Sequence, residues 1–89
     1  MELRIDFPKL PEGKDLMAVR AELDAILEDD GWLLTSGMDG QEGYIELELE
    51  DEKMNPKYGI MAVKAYLQRG GFDPYTTMDL CGTKTRIFD

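Results

Sequence analysis

The sequence has no histidine, one cysteine and one tryptophan, and no apolar run approaches the roughly 20 residues that a bilayer span requires. Each scarcity removes a class of chemistry. Without histidine there is no side chain whose ordinary pKa lies near neutrality, so serine and cysteine triads and the commonest transition-metal ligand are out of reach. Cys81 has no second cysteine to pair with and no imidazole to activate it. It reads as a packed or incidental thiol in a reducing compartment, not a nucleophile. The N-terminus, Met1-Glu2-Leu3-Arg4, has neither the basic start nor the apolar core of a signal peptide. The expected location is cytoplasmic, with no membrane partner. Gly70-Gly71 follows a helical segment instead of opening one, and Gly37, Gly40 and Gly43 fall in a hairpin, so no phosphate-binding loop is formed.

Acid is what the chain has in plenty. Nineteen Asp and Glu residues face ten Lys and Arg, a formal net charge of -9 over 89 residues. That charge repels nucleic-acid phosphates and anionic membranes and suits a basic protein partner. The 43% apolar content supports one core, and the length leaves no room for two, so residues 1–89 are read as a single domain.

Leu3, Ile5 and Phe7 alternate with Glu2, Arg4 and Asp6, a half-buried strand ended by Pro8 and Pro11. From Asp15 to Asp30 the spacing of Leu16, Val19, Leu23, Ile26 and Leu27 predicts a helix, capped by Asp15 and stopped at Gly31. Glu28, Asp29 and Asp30 then crowd its negative end, either as a solvated terminus or as an acidic patch. Trp32–Met38 and Gln41–Glu50 predict a hairpin about a type I′ turn at Asp39-Gly40. Facing Met38 with Gln41 pairs Leu34 with Ile45 and Trp32 with Leu47. Trp32, Leu34, Ile45, Leu47 and Leu49 then point inward, while Leu33, Glu46, Glu48 and Glu50 point outward. Asn55-Pro56 opens a second helix with the stripe Ile60, Val63, Tyr66 and Leu67, ended by Gly70-Gly71. Gly59 inside it costs about 1 kcal/mol against alanine, unless a neighbouring strand lies too close for a side chain. Residues 76–89 are β-prone. One strand and a fold-back at Cys81-Gly82-Thr83 both fit them.

The resulting order, β-α-β-β-α-β, resembles the split βαβ arrangement called ferredoxin-like. That α+β fold places two helices on one face of a four-stranded antiparallel sheet, strands one and three central, with room here for a short extra C-terminal strand.

The run Glu46, Glu48, Glu50, Asp51, Glu52 is the densest acid in the chain. Metal binding needs oxygens converging on one point, and same-face strand residues are spread at roughly 6.5 Å intervals. An EF-hand loop begun at Asp39 fails too, because Tyr44 stands where glycine is needed. No metal and no other cofactor is expected. The outward face would carry Arg4, Asp6, Glu46, Glu48 and Glu50 where RNA-binding sheets carry aromatics surrounded by lysine or arginine, so nucleic acid is not an expected partner. Trp32 is placed in the core, and Phe72 and Tyr75 close its lower end. Met38 adds an adaptable apolar contact at the hairpin tip.

The reading that follows is a non-catalytic, acidic protein-binding module that meets a basic surface of a partner protein, as an inhibitor, immunity or phage-encoded antagonist protein would. Its contact set is Glu46, Glu48, Glu50, Asp51, Glu52 and Met38. Two alternatives stand beside it. One is a homo-oligomeric structural or regulatory domain, against a monomer, with edge pairing through the C-terminal strand. The other is a small enzyme or ligand sensor using carboxylates, Tyr58, Tyr66 and Lys64 around a pocket.

Overall fold

The computed structural model describes residues 1–53 and 55–88. In chain order the elements are β1 (Glu2–Phe7), α1 (Leu16–Leu27), a 3-10 turn (Glu28–Asp30), β2 (Gly31–Asp39), β3 (Glu42–Leu49), α2 (Pro56–Arg69), β4 (Thr77–Leu80) and β5 (Thr83–Arg86). The class is α+β: two helices and a five-stranded antiparallel sheet in the order β2-β3-β1-β4-β5.

Both helix starts are made by the expected caps. Asp15 Oδ1 accepts the Ala18 N–H at 2.8 Å, and Asn55 Oδ1 accepts the Lys57 N–H at 3.0 Å. The end of α1 differs. Glu28, not Gly31, takes a positive φ (48°), and Glu28–Asp30 coil into the 3-10 turn. Gly31 is already extended strand. It is glycine for another reason: a Cβ there would lie 2.4 Å from the Glu48 carbonyl oxygen.

The β2–β3 hairpin departs from its predicted register. Its loop is Gly40-Gln41, between paired Asp39 and Glu42. Gly40 has φ 67° and Gln41 no positive φ, which is the φ pattern of a II′ turn and not I′. Met38 therefore faces Gly43 instead of Gln41. A β-bulge between Leu33 and Thr35 then shifts the ladder again, so Leu33 faces Leu47 and Trp32 faces Glu48. One inserted residue exchanges the faces of everything beyond it. Leu33 packs on the core, while Trp32 and Leu34, expected inside, are 49% and 44% exposed.

The I′ pattern of two successive positive φ values falls at Cys81 (51°) and Gly82 (90°). Those residues turn β4 back into β5, so the tail is a hairpin and not one strand.

The core joins Leu3, Ile5 and Phe7 of β1 with Ile45, Leu47 and Leu49 of β3. Val19, Leu23 and Leu27 of α1 and Val63 and Leu67 of α2 cover them, and Phe72, Met78 and Ile87 close the end. Ile26, assigned to the buried stripe of α1, stays 36% exposed. Gly59 is buried where a Cβ would come 2.8 Å from Leu49 Cδ2, so α2 does approach β3 closely there. Phe72 meets Phe7 edge-on, centroids 6.1 Å apart. Tyr75, read with Phe72 as core closure, is instead 69% exposed.

Candidate functional site

Because Leu3, Ile5 and Phe7 face the helices, Glu2, Arg4 and Asp6 face away, and the ladder fixes what lies beside them. Three rows cross the open face. Trp32, Glu48 and Glu2 make the first. Thr35, Glu46, Arg4, Asp79 and Lys84 make the second, and Gly37, Tyr44, Asp6, Thr77 and Arg86 the third. The β3 and β1 portion is rich in carboxylates around Arg4, and the β5 edge carries two further basic residues, Lys84 and Arg86.

Arg4 organises the middle of this face. Its Nε lies 3.1 Å from Asp6 Oδ1, its Nη1 3.5 Å from Glu46 Oε1, and its guanidinium carbon 4.4 Å from the centroid of the Tyr44 ring. These exposed ion pairs stabilise the fold by under about 1 kcal/mol each. Their effect is instead to hold the Arg4 side chain flat, with carboxylates around it. At the sheet end, the Met1 amine donates to Glu48 Oε1 at 3.0 Å and to Asp51 Oδ2 at 3.2 Å. The bond to Glu48 is the larger cause holding that amine above its ordinary pKa.

The predicted acidic run is therefore divided. Glu46 and Glu48 share the open face. Asp51 adjoins them through the terminal amine. Glu50 has left the row, and its Oε1 accepts the backbone N–H of Lys53 at 3.1 Å and of Glu52 at 2.8 Å. Those two bonds, that of Lys53 first, pull its pKa below the usual carboxylate value. Glu52 supplies one of them from an exposed loop. Met38, opposite Gly43 and hence in line with Phe7, stands on the helix side of β2 and not on the carboxylate face.

Several members of the face were not identified from sequence. Trp32 reaches it through the bulge. Tyr44 was read only as a residue unsuited to calcium. Tyr75 stands exposed at the far side, its ring centroid 5.3 Å from the Arg86 guanidinium carbon. Asp79 carried a usable signal, its alternation with Met78 and Leu80, but Lys84 and Arg86 needed the fold-back to be known first. The relief is shallow: a cleft of about 390 Å³ runs beside Arg4, Asp6, Glu42 and Tyr44, and one of about 200 Å³ beside Glu2, Arg4, Glu46 and Asp79.

A second polar cluster joins the helices. Glu22 Oε1 accepts from Lys14 Nζ at 2.8 Å and from the Tyr66 hydroxyl at 2.5 Å. The bond from Lys14, then that from Tyr66, lowers the Glu22 pKa. Burial, then Glu22, raises that of Tyr66. Both shifts lock the groups in their resting forms, a carboxylate and a neutral phenol. Lys64 lines a different cleft, with Leu3, Ile60, Met78 and Leu80, while Tyr58 projects from α2 at 66% exposure. The three residues considered for a catalytic pocket are thus not gathered at one place.

Among the described residues no three cysteine, aspartate or glutamate side chains form a group that could hold a metal ion, and no helix is long and apolar enough to cross a membrane. Compared with known proteins, the chain matches no family model, no curated protein and no solved structure.

Proposed function

We propose that the chain is a non-catalytic protein-binding module whose open sheet face receives a basic surface of a partner protein. The observation that carries this is the composition of the face. Glu2, Asp6, Glu46, Glu48 and Asp79 surround Arg4, and Trp32 and Tyr75 stand exposed at either side. Carboxylates steer a basic partner and fix its orientation, whereas tryptophan and tyrosine are the residue types that anchor interfaces. An inhibitor, immunity or antagonist protein acts in this way, by covering a basic active site or nucleic-acid groove without chemistry of its own. We further read the fold as ferredoxin-like with β5 appended. Its support is the order β2-β3-β1-β4, with a helix after β1 and another after β3. The single, exposed and unpaired thiol of Cys81 favours a reducing, cytoplasmic setting.

The test is affinity capture from the native cell extract at low and high salt, comparing the unmodified chain with Glu46→Lys/Glu48→Lys and with Trp32→Ala. Glu50 is left intact because its carboxylate caps a turn. A captured protein that is lost with salt and with either variant supports the reading. Capture unchanged by the double reversal and by salt overturns it.

A further inference from the structure

We infer that two copies of this chain pair antiparallel through β2, joining their sheets into one of ten strands. The two edges of the sheet are built differently. Exposed edges are ordinarily blunted by shortness, charge, proline or a bulge. β5 is four residues long and carries Lys84 and Arg86. β2 is nine residues long, pairs with β3 on one side only, and is blunted only by its bulge and by Asp39 at its last position. It also presents Trp32, Leu34 and Met38, which are 49%, 44% and 43% exposed.

Charge selects a second copy as the occupant. The chain carries a net -9, so most of its surface repels an identical molecule. Gly31 to Met38 is the longest stretch of the sequence without a charged residue, and it forms nearly all of β2. A two-fold axis normal to the sheet sets this stretch against itself, so like charges meet only at its two ends, where Asp39 of one copy comes opposite Asp30 of the other. The nearest carboxylate rows, Glu46 and Glu48 of each β3, then lie three strand spacings apart, about 14 Å. That separation exceeds the screening length of about 8 Å at physiological ionic strength. Pairing through β5 would instead bring Lys84 and Arg86 of one copy against those of the other. The same axis leaves both open faces on one side of the joined sheet, so the dimer offers the carboxylate face twice.

Light scattering on chromatographed protein, up to about 1 mM chain, the weak end of specific association, tests this. The expected mass is twice the 10.1 kDa of one chain. Leu34→Lys, at an exposed position, is expected to return it to the single-chain mass. Thr85→Lys, which adds the same charge on β5, is expected to leave it doubled. Amide hydrogen exchange on the unmodified chain needs no variant to fold: β2 amides are expected to slow as concentration rises, and β5 amides not to change. A single-chain mass at the highest concentration overturns the proposal. So does a dimer that survives Leu34→Lys, or concentration-dependent protection confined to β5. Protection of β2 that appears only when a different protein is added would assign the edge to a foreign strand and equally overturn it.

Discussion

Residue 31 shows how much one missing methyl group decides. The Gly31 backbone is extended, a shape any residue can adopt, yet a Cβ there would sit 2.4 Å from the Glu48 carbonyl oxygen. That neighbour is backbone and cannot swing aside. Gly31→Ala is expected to destabilise the fold by about 1–3 kcal/mol, the usual cost of forced overpacking, read as a lower urea midpoint. Thr76 offers the opposite case. It is fully buried, and its hydroxyl has no hydrogen-bond partner among the described residues. Thr76→Val removes that desolvated group at equal volume and is expected to raise stability by about 1 kcal/mol in the same titration. At Glu22 the pKa lies below its ordinary value, so the carboxylate's contribution to stability is present above the unfolded pKa and is lost as pH falls through the folded one. NMR titration is expected to show that pKa rising in Lys14→Met and, by less, in Tyr66→Phe, following the order of the two causes.

Elements whose signals are local were legible before any coordinates. The alternation in β1 and the caps Asp15 and Asn55 concern neighbours within a few positions, and each appears where the pattern puts it. Asn55→Ala is accordingly expected to cost about 1 kcal/mol, seen as a lower melting temperature with α2 otherwise intact. The β2–β3 hairpin was legible but its register was not, because that depends on which two residues form the turn and on a bulge. Trp32-Leu33-Leu34 gives three apolar residues in a row, and a period of two cannot say which of them is the extra one. The positive φ at Glu28 was hidden in a similar way, since glycine three positions later is the stronger sequence signal. The candidate site inherits both outcomes. Glu46 and Glu48 were placed on the open face by alternation alone. Trp32, Lys84 and Arg86 join them only through the bulge and the β4–β5 turn, features that pairing between distant strands determines.

The whole molecule carries excess negative charge on a small body, and self-repulsion of that kind lowers the stability of the compact state. Raising ionic strength from about 0.01 to about 0.15 M shortens the screening length from about 30 to about 8 Å. The exposed pairs of Arg4 lose little, since each is worth under about 1 kcal/mol. The melting temperature is therefore expected to rise with salt, by roughly 4–8 °C for each kcal/mol of relieved repulsion in a domain of this size; calorimetry at the two salt levels checks it.

The lone thiol of the sequence sits at the tip of the β4–β5 turn, solvent-exposed, and borders the cleft formed by Glu2, Arg4, Glu46 and Asp79. A maleimide dye or nitroxide applied to the unaltered polypeptide would attach at that one address, on the rim of the carboxylate surface. Docking of another molecule there would change its colour or tumbling, so the protein comes supplied with its own reporter.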